Sequence, residues 1–231
     1  MSSVCAVVVA GGCGARFGNP GGKQLVNVAG KPLMTWSIRA FDRSAFVSHI
    51  VVVCPAEKMD EMRRQAIDPY NFATPITFAE AGKTRQDSTR SGVEAVPEGY
   101  EYVAIHDAAR PLITEKIIAE AVEAAMRDSA AAPGVACKDS IQVIQNGKMV
   151  KNIARESVIA VQTPQCFDID LICAALTKAL ESGESLTDDC GAVTALGQPI
   201  TITRGSYENI KITTPEDVVQ GEAILKGRRQ K

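Results

Sequence analysis

Hydrophobic residues along this chain form two alternating patterns. Short continuous apolar runs, rich in valine and isoleucine, predict strands buried on both faces, as in a parallel sheet. These runs lie at residues 4–10, 47–54, 74–79, 102–105, 130–137, 158–161, 200–203 and 209–212. Apolar residues at helical spacing predict helices at residues 31–43, 56–67, about 88–96, 113–126 and 168–182, and two more that open near Thr187 and Thr214. This alternation indicates right-handed βαβ units, and so a Rossmann-like α/β fold whose mostly parallel sheet has helices on both faces.

Local signals refine the ends of these helices. Pro32 is suited to the first turn of its helix, and Thr187 is suited to a cap position. The basic residues at 226–231 predict a fraying tail.

The segment at residues 138–156 departs from this alternation. Two short strands at 141–144 and 149–153 flank Asn146-Gly147, a dipeptide typical of a tight hairpin turn. Because an isolated hairpin is marginal in water, we expect this β-arm to pack on a second subunit. The sequence therefore predicts one domain over residues 1–231 with a protruding arm that forms a homodimer.

Composition narrows the function classes. At 45% hydrophobic and 23% charged residues, the chain is typical of a globular protein, and its net charge of −2 argues against general nucleic-acid binding. No apolar run approaches the ~18 residues of a membrane span, and the first run lacks the features of a secretory signal. Seven cysteines without a C-x-x-C, beside only two histidines, disfavour a zinc cluster. We expect reduced thiols and a cytoplasmic location.

The first strand leads into a loop with six glycines in twelve residues, and this loop also carries Arg16 and Lys23. Glycines after a buried strand let backbone N–H groups approach a ligand, and two cations favour an anion. Phe17 and Gln24 break the P-loop pattern, while Phe17 and the lack of an acid after the second strand break the dinucleotide pattern. What remains, G-x-G-x-R-x-G followed by a lysine, is similar to the triphosphate loop of sugar-phosphate nucleotidyltransferases.

Two further loops follow strands and should share the same sheet edge, where ligands bind in such folds. One holds Arg85, which would be interpreted as a solvated helical residue without the neighbouring Gly82. The other holds Asp107, for which two interpretations remain open: a ligand for Mg2+, or an ion pair with Arg110 that caps the next helix. His106 is interpreted as a packed residue rather than a base. Lys211, on the residues alone, is interpreted as a solvated side chain opposite Ile210 and Ile212.

Five segments in order resemble the 2-C-methyl-D-erythritol 4-phosphate cytidylyltransferases of the non-mevalonate isoprenoid pathway. They are the 11–24 loop, Gly82-x-x-Arg85-x-x-Ser88, His106-Asp-Ala-Ala-Arg-Pro111, Thr163-Pro-Gln165, and Asn209-Ile-Lys211 before Thr214-Pro-Glu-Asp217. The resemblance spans nearly the whole chain. It implies transfer of CMP from CTP to the sugar-alcohol phosphate, with Mg2+, in a homodimer with a shared active site and no nucleic-acid or membrane partner.

The resemblance also implies roles for the matched residues. The CTP side would comprise Ala10, Gly11, Gly12, Gly14, Arg16, Lys23, Gly82, Arg85, Ser88, Asp107 and Ala108. The acceptor side would comprise Asp107, Arg110, Ser140, Arg155, Thr163, Thr187 and Lys211. Catalysis would fall to Arg16, Lys23, Arg155 and Lys211, with Arg155 reaching over from the partner's arm and Asp107 beside the metal. Gly22 and Phe17 depart from the family, which usually has proline and methionine there.

The implied chemistry agrees with the residues present. A phosphate monoester with a second pKa near 6 is largely dianionic at pH 7, so the attack needs no general base. Three alternatives stay open: a ribitol 5-phosphate cytidylyltransferase, a nicotinamide-dependent oxidoreductase, and a non-catalytic nucleotide-binding regulator.

Overall fold

One eight-stranded sheet organises the computed structural model, which describes residues 4–12, 17, 22–183 and 187–229. Numbered along the chain, the strands are β1 Val4–Val9, β2 Asn27–Val28, β3 Lys31–Pro32, β4 Val47–Cys54, β5 Ile76–Glu80, β6 Tyr102–Asp107, β7 Ala130–Ala136, β8 Ile141–Gln145, β9 Lys148–Ile153, β10 Ile159–Val161, β11 Gln165–Asp168 and β12 Thr201–Arg204. The main sheet has the order β10-β7-β11-β6-β1-β4-β5, with β12 also paired to β7. Strands β6, β1, β4 and β5 are parallel neighbours, whereas β11 runs antiparallel to both β6 and β7.

Helices cover both faces of this sheet. They are α1 Leu33–Asp42, α2 Met59–Met62, α3 Arg85–Glu94, α4 Glu115–Asp128, α5 Ile169–Ser182, α6 Asp189–Ala195 and α7 Pro215–Arg229. Along β1, Ala6 and Val8 pack with residues of α1 and α4, while Cys5 and Val7 pack with residues of α3, α5 and α6. Successive strand residues point to opposite faces, so a strand covered on both sides is a continuous apolar run. The predicted fold class is confirmed.

The predicted hairpin arm is also present. Strands β8 and β9 pair antiparallel around Asn146 and Gly147, whose φ values of 49° and 76° are those of a type I′ turn. Three apolar side chains of the arm are exposed: Ile144 by 68%, Met149 by 77% and Val150 by 51%. Within the described part of the chain, no helix has the length and apolar character needed to cross a membrane.

Two strand predictions were wrong. Strand β11 lies where the sequence indicated only the approach to a helix, because four residues after a proline carry too short a pattern. Residues 209–212 do not form a strand. The Ile212 N–H does donate to the Ala109 carbonyl at 2.8 Å. Most other bonds of the segment involve a side chain on one side or the other, which the apolar alternation does not reveal.

Several helix details differ as well. The predicted helix at 56–67 is broken into a 3-10 turn at Ala56–Lys58, α2, and a π-helical turn at Arg63–Ile67. Pro32 precedes α1 as its cap, because its ψ of 141° is not helical. Asp188, not Thr187, caps α6 by accepting from the Gly191 N–H at 3.0 Å. Helix α7 extends to Arg229, so residues 226–229 are not a frayed tail; Arg228 is anchored by a bond to the Leu112 carbonyl at 2.9 Å.

Candidate active site

A cleft of about 430 Å3 opens at the carboxyl ends of the parallel strands. Val9 pairs with both Asp107 and Val53 in register, so β1, β4 and β6 end at the same level. The three loops predicted to share this edge do meet here. The cleft is lined by Val9, Gly11, Gly12, Lys23, Gln24, Gly82, Lys83, Thr84, Arg85, Ser88, Asp107, Ala109, Lys211 and Thr213.

Asp107 is the centre of charge in this cleft. Only 8% exposed at the end of β6, its carboxylate lies 2.8 Å from Lys211 Nζ, 3.4 Å from Arg85 Nε and 3.9 Å from Arg110 Nε. Burial alone would raise the pKa of Asp107, but the three cations outweigh it and hold that pKa well below its usual range. The carboxylate is therefore ionised at any physiological pH.

Asp107 and Arg110 do form the expected ion pair, at 3.9 Å, but this pair does not cap the next helix. The next helix, α4, begins at Glu115 and is capped by Thr114, which accepts from the Ile117 N–H. The Arg110 guanidinium instead donates to the Asn209 carbonyl at 2.8 Å. Arg110 thereby ties the Asp107 loop to the segment that carries Lys211.

Lys211 lines the cleft and pairs with Asp107, although its side chain is still 37% exposed; the residues alone indicated only a solvated side chain. Its segment is held by Asn209, which is fully buried and donates through Nδ2 to the Thr163 carbonyl at 3.1 Å and to Gln162 Oε1 at 3.3 Å. Because these anchors fix residue 209, the lysine two positions later is directed at Asp107.

Lys23, the loop lysine, is 8% exposed and donates to the Ile212 carbonyl at 2.9 Å. It therefore lies beside the Lys211 segment, so the predicted triphosphate and acceptor lysines meet in one cleft. Gly11 lies so close to the loop after β5 that a Cβ there would be 2.6 Å from Ala81 Cβ, and 3.4 Å from Ser88 Oγ in α3. Gly14 and Arg16 lie outside the described residues.

His106 and Thr163 support Asp107 from behind the cleft. The Arg110 carbonyl can only accept, so His106 Nε2, 3.3 Å away, carries the proton, and His106 Nδ1 accepts from the Thr163 hydroxyl at 2.8 Å. That hydroxyl also accepts from the Asp107 N–H at 3.2 Å. Burial lowers the pKa of His106 to about 4, which keeps the ring neutral. Its interpretation as a packed residue is confirmed.

Arg85 has a partner that the sequence analysis missed. Its two terminal nitrogens donate to the two carboxylate oxygens of Asp189, each at 2.8 Å, and Asp189 is only 2% exposed. Burial by itself lowers the pKa of Arg85, but the charges of Asp189 and Asp107 outweigh burial and raise it. The sequence does contain a signal for this partner, the acidic pair Asp188-Asp189, but that pair was interpreted only as part of the start of a helix.

The remaining predicted residues fall into two groups. In the first group, Gly82 and Ser88 line the cleft, and Ser88 donates to the Thr84 carbonyl at 2.8 Å. Ala10 and Ala108 are buried directly beside lining residues, and their N–H groups donate to the Val53 and Val9 carbonyls. Ser140, Arg155 and Thr187 are exposed and do not line the cleft of their own chain. Arg155 donates to the Lys138 carbonyl at 3.0 Å, at the base of the arm.

The donor set fits a weakly coordinated hard cation. Among the described residues, no group of three or more His, Cys, Asp or Glu side chains could hold a metal, and Asp107 is the carboxylate that lines the cleft. Mg2+ typically keeps several waters and takes one or two carboxylates together with substrate phosphates. An ionised Asp107 fits that pattern and does not fit an all-protein metal cage.

Comparison with known proteins points to one family. The family model described as "IspD: 2-C-methyl-D-erythritol 4-phosphate cytidylyltransferase" matches residues 4–227. The 2-C-methyl-D-erythritol 4-phosphate cytidylyltransferase of Clostridium novyi (strain NT) is 39% identical over 226 residues, which cover 97% of each chain. The protein of the same name from Caldanaerobacter subterraneus is 39% identical over 225 residues, covering 97% of this chain and 99% of the relative.

Solved structures agree in fold. The 4-diphosphocytidyl-2C-methyl-D-erythritol synthase of Anaerococcus prevotii has a TM-score of 0.86 at 26% identity, covering 97% of this chain and 96% of that one. The 2-C-methyl-D-erythritol 4-phosphate cytidylyltransferase of Thermus thermophilus has a TM-score of 0.79 at 30% identity, covering 98% of this chain and 100% of that one.

Proposed function

Because this chain belongs to the 2-C-methyl-D-erythritol 4-phosphate cytidylyltransferase family, we propose that its cleft transfers CMP from CTP to 2-C-methyl-D-erythritol 4-phosphate. The products are 4-diphosphocytidyl-2-C-methyl-D-erythritol and pyrophosphate, in the non-mevalonate isoprenoid pathway. The observation that carries this proposal is the convergence of Lys211, Arg85 and Arg110 on Asp107, in a cleft that Lys23 also lines at the carboxyl end of β1. Such a site is suited to two phosphate-bearing anions, and none of the described residues that line it is a histidine.

This reaction requires that the negative charges of both substrates be neutralised and that their reacting atoms be aligned. The acceptor's phosphate, an anion, attacks the α-phosphorus of CTP in line, and pyrophosphate leaves. Lys23 is engaged by a neutral carbonyl at 2.9 Å, and a phosphate oxygen would replace that carbonyl in a stronger, charge-assisted bond. His106 is fully buried behind Asp107 and is not required as a base.

Asp107 is proposed to hold Mg2+ together with the substrate phosphates, and the ion would supply neutralisation of the triphosphate charge. Lys211 now pairs with the same carboxylate at 2.8 Å. In the loaded site, Lys211 would turn to the acceptor's phosphate, with Arg110 beside it. Arg16 is expected to join Lys23 on the triphosphate.

The shared active site of a homodimer is the second part of this proposal. Arg155 and Ser140 lie near the ends of an arm whose apolar side chains Ile144, Met149 and Val150 are exposed in a single chain. Exposed apolar patches of this kind mark interaction surfaces. We assign the covering surface to a second copy, whose cleft would receive Arg155. The six described cysteines are all free, in keeping with the proposed cytoplasmic location.

Pyrophosphate release tests the function directly. With Mg2+ and CTP present, 2-C-methyl-D-erythritol 4-phosphate and ribitol 5-phosphate are offered separately, and ATP and GTP replace CTP as controls. We expect turnover with the first acceptor and CTP. Turnover with ribitol 5-phosphate alone would support the CTP site but overturn the assignment of the acceptor. CTP binding without pyrophosphate release in either case would indicate a non-catalytic nucleotide-binding protein.

A further inference from the structure

The buried pair between Arg85 and Asp189 joins two segments that are 104 residues apart and has no role in the mechanism above. We propose that Asp189 is a positioning residue for the transfer, which fixes Arg85 so that Arg85 orients Asp107. This inference rests on the proposed function, because its effect is expressed through the carboxylate that serves the phosphates.

The geometry of the guanidinium carries the first step. Arginine is a planar fork of five N–H donors, so fixing the two terminal nitrogens also fixes the direction of the Nε–H. Asp189 holds both terminal nitrogens at 2.8 Å, and the Nε–H then lies 3.4 Å from Asp107 Oδ1. Lys211 takes the other oxygen, Oδ2, at 2.8 Å. Asp189 thus determines which oxygen of Asp107 faces Arg85.

Asp189 is itself held rigidly. Its N–H and that of Cys190 both donate to Gln165 Oε1 at 3.0 Å, and the same glutamine donates through Nε2 to Asp188 Oδ2 at 2.9 Å. Gln165 is the first residue of β11, whose neighbour in the sheet is β6, the strand that ends in Asp107. The start of α6 is therefore locked to the strand pair that builds the site.

The charge of Asp189 is the second reason to assign it this positioning role. Three cations surround Asp107, and Asp189 is the anion that compensates one of them. With Asp189 neutral, Arg85 would be released toward Asp107 or toward the incoming triphosphate. The cleft would gain positive charge, so binding of a polyanion would not weaken, while the orientation of Asp107 would be lost. The expected result, a lower kcat with unweakened CTP binding, differs from the result of general structural damage, which would impair both.

Asp189→Asn is the direct test, since it keeps the shape of the side chain and removes its charge. We expect kcat to fall about 10- to 100-fold, the usual cost of misplaced groups, while the Kd for CTP measured by calorimetry does not rise. Asp170→Asn is the matched control, because it removes the same charge from an exposed carboxylate of α5 that does not line the cleft, and its kcat should stay within about twofold. Full kcat in Asp189→Asn, or a kcat loss matched by equal weakening of CTP binding, would overturn the proposal.

Arg85→Lys gives an independent test should Asp189→Asn fail to fold, as judged by circular dichroism. Lysine keeps the positive charge but lacks the fork, so kcat should again fall while CTP binding is kept; wild-type kcat in this variant would contradict the proposal. Asp189→Glu restores the charge and is expected to recover part of the kcat lost in Asp189→Asn. Wild-type turnover in the same assay separates the two hypotheses: its absence removes the proposed function, whereas its presence with unaffected variants removes only this inference.

Discussion

Individual cationic residues in this cleft are already bonded to other groups of the protein, and we expect substrate oxygens to replace those groups. Lys23 donates to a backbone carbonyl and Lys211 to a carboxylate. Neither lysine lies on a strand or an α-helix: Lys23 opens the 3-10 turn Lys23–Leu25, and Lys211 lies in the irregular segment 209–213. Their placement depends on a few buried anchors, above all Asn209.

Lys23→Ala is expected to lower kcat by roughly 10²–10³, the usual size for one lost contact to the transition state. Steady-state pyrophosphate release measures it. Lys116→Ala is the control, since that lysine is 75% exposed on the surface of α4, where it pairs with Glu120; it should leave kcat within about twofold. A fall of less than threefold in Lys23→Ala would contradict a direct role for this lysine.

His106 predicts how stability depends on pH. Its pKa is lowered by burial from 6.5 to about 4, with Asp107 and Arg110 as the charged groups that face it. Between these values the unfolded chain binds a proton that the native chain does not, so stability is lost as pH falls from about 6.5 to about 4. This histidine should account for a loss of about 2 kcal/mol between pH 7 and pH 5.

Urea unfolding of wild type and His106→Gln at both pH values tests this prediction. The difference between pH 7 and pH 5 should be about 2 kcal/mol smaller in His106→Gln than in wild type. His49→Gln, which changes the only other histidine, serves as the control and should retain most of the wild-type difference. An unchanged pH difference in His106→Gln would refute the assignment.

At the scale of elements, what could be predicted from sequence depended on how burial is patterned. Strands β1 and β4 were predicted within one residue because burial on both faces makes each a continuous apolar run. Strand β11 was missed, and residues 209–212 were taken for a strand, because pairing in a sheet between distant segments leaves no local signal. Likewise, the three motif loops were predicted to meet at one edge of the sheet. The contact between Asp189 and Arg85 was not predicted, since the two residues are 104 positions apart in the chain.

Helix α3 provides a test of packing at this scale. A Cβ on Gly92 would lie 2.5 Å from Val7 Cγ1 and 2.6 Å from Val53 Cγ2, so the helix sits directly on the sheet there. Gly92→Ala should destabilise the protein by about 1–3 kcal/mol through overpacking, despite the better helix propensity of alanine. Gly227→Ala in α7 meets nothing within 4 Å and should gain about 0.5–1 kcal/mol. Equal unfolding midpoints for both variants would contradict this packing.

At the scale of the whole molecule, the proposed shared site predicts complementation. Arg155→Ala should raise the KM for the acceptor if its contact is equal in ground and transition states. Mixed with Lys23→Ala and allowed to exchange subunits, it forms heterodimers in which one cleft has both wild-type residues and the other has neither.

The assay uses acceptor concentrations at which each variant alone is nearly inactive. After random exchange in a 1:1 mixture, half of the dimers are heterodimers, and each of these has one intact site of two. The mixture should therefore reach about a quarter of wild-type activity. Activity that stays at the mean of the two separate variants would show that each cleft uses its own Arg155. Co-purification of an untagged variant with an affinity-tagged one shows separately that subunits have exchanged.

The position of β11 between β6 and β7 sets an order on folding during synthesis. Strands β1, β4, β5 and β6 are complete once residue 107 is made, but the Thr163 hydroxyl that supports Asp107 comes 56 residues later. At ~5–20 residues per second, the ribosome needs about 3–11 s to add that stretch. Throughout that interval β6 is an open edge with unpaired N–H and C=O groups, the kind of surface that recruits other strands. The support of Asp107 by Thr163 thus forms only after the parallel half of the sheet has been made, and a newly made chain passes through a stage with an exposed strand edge before its catalytic centre is complete.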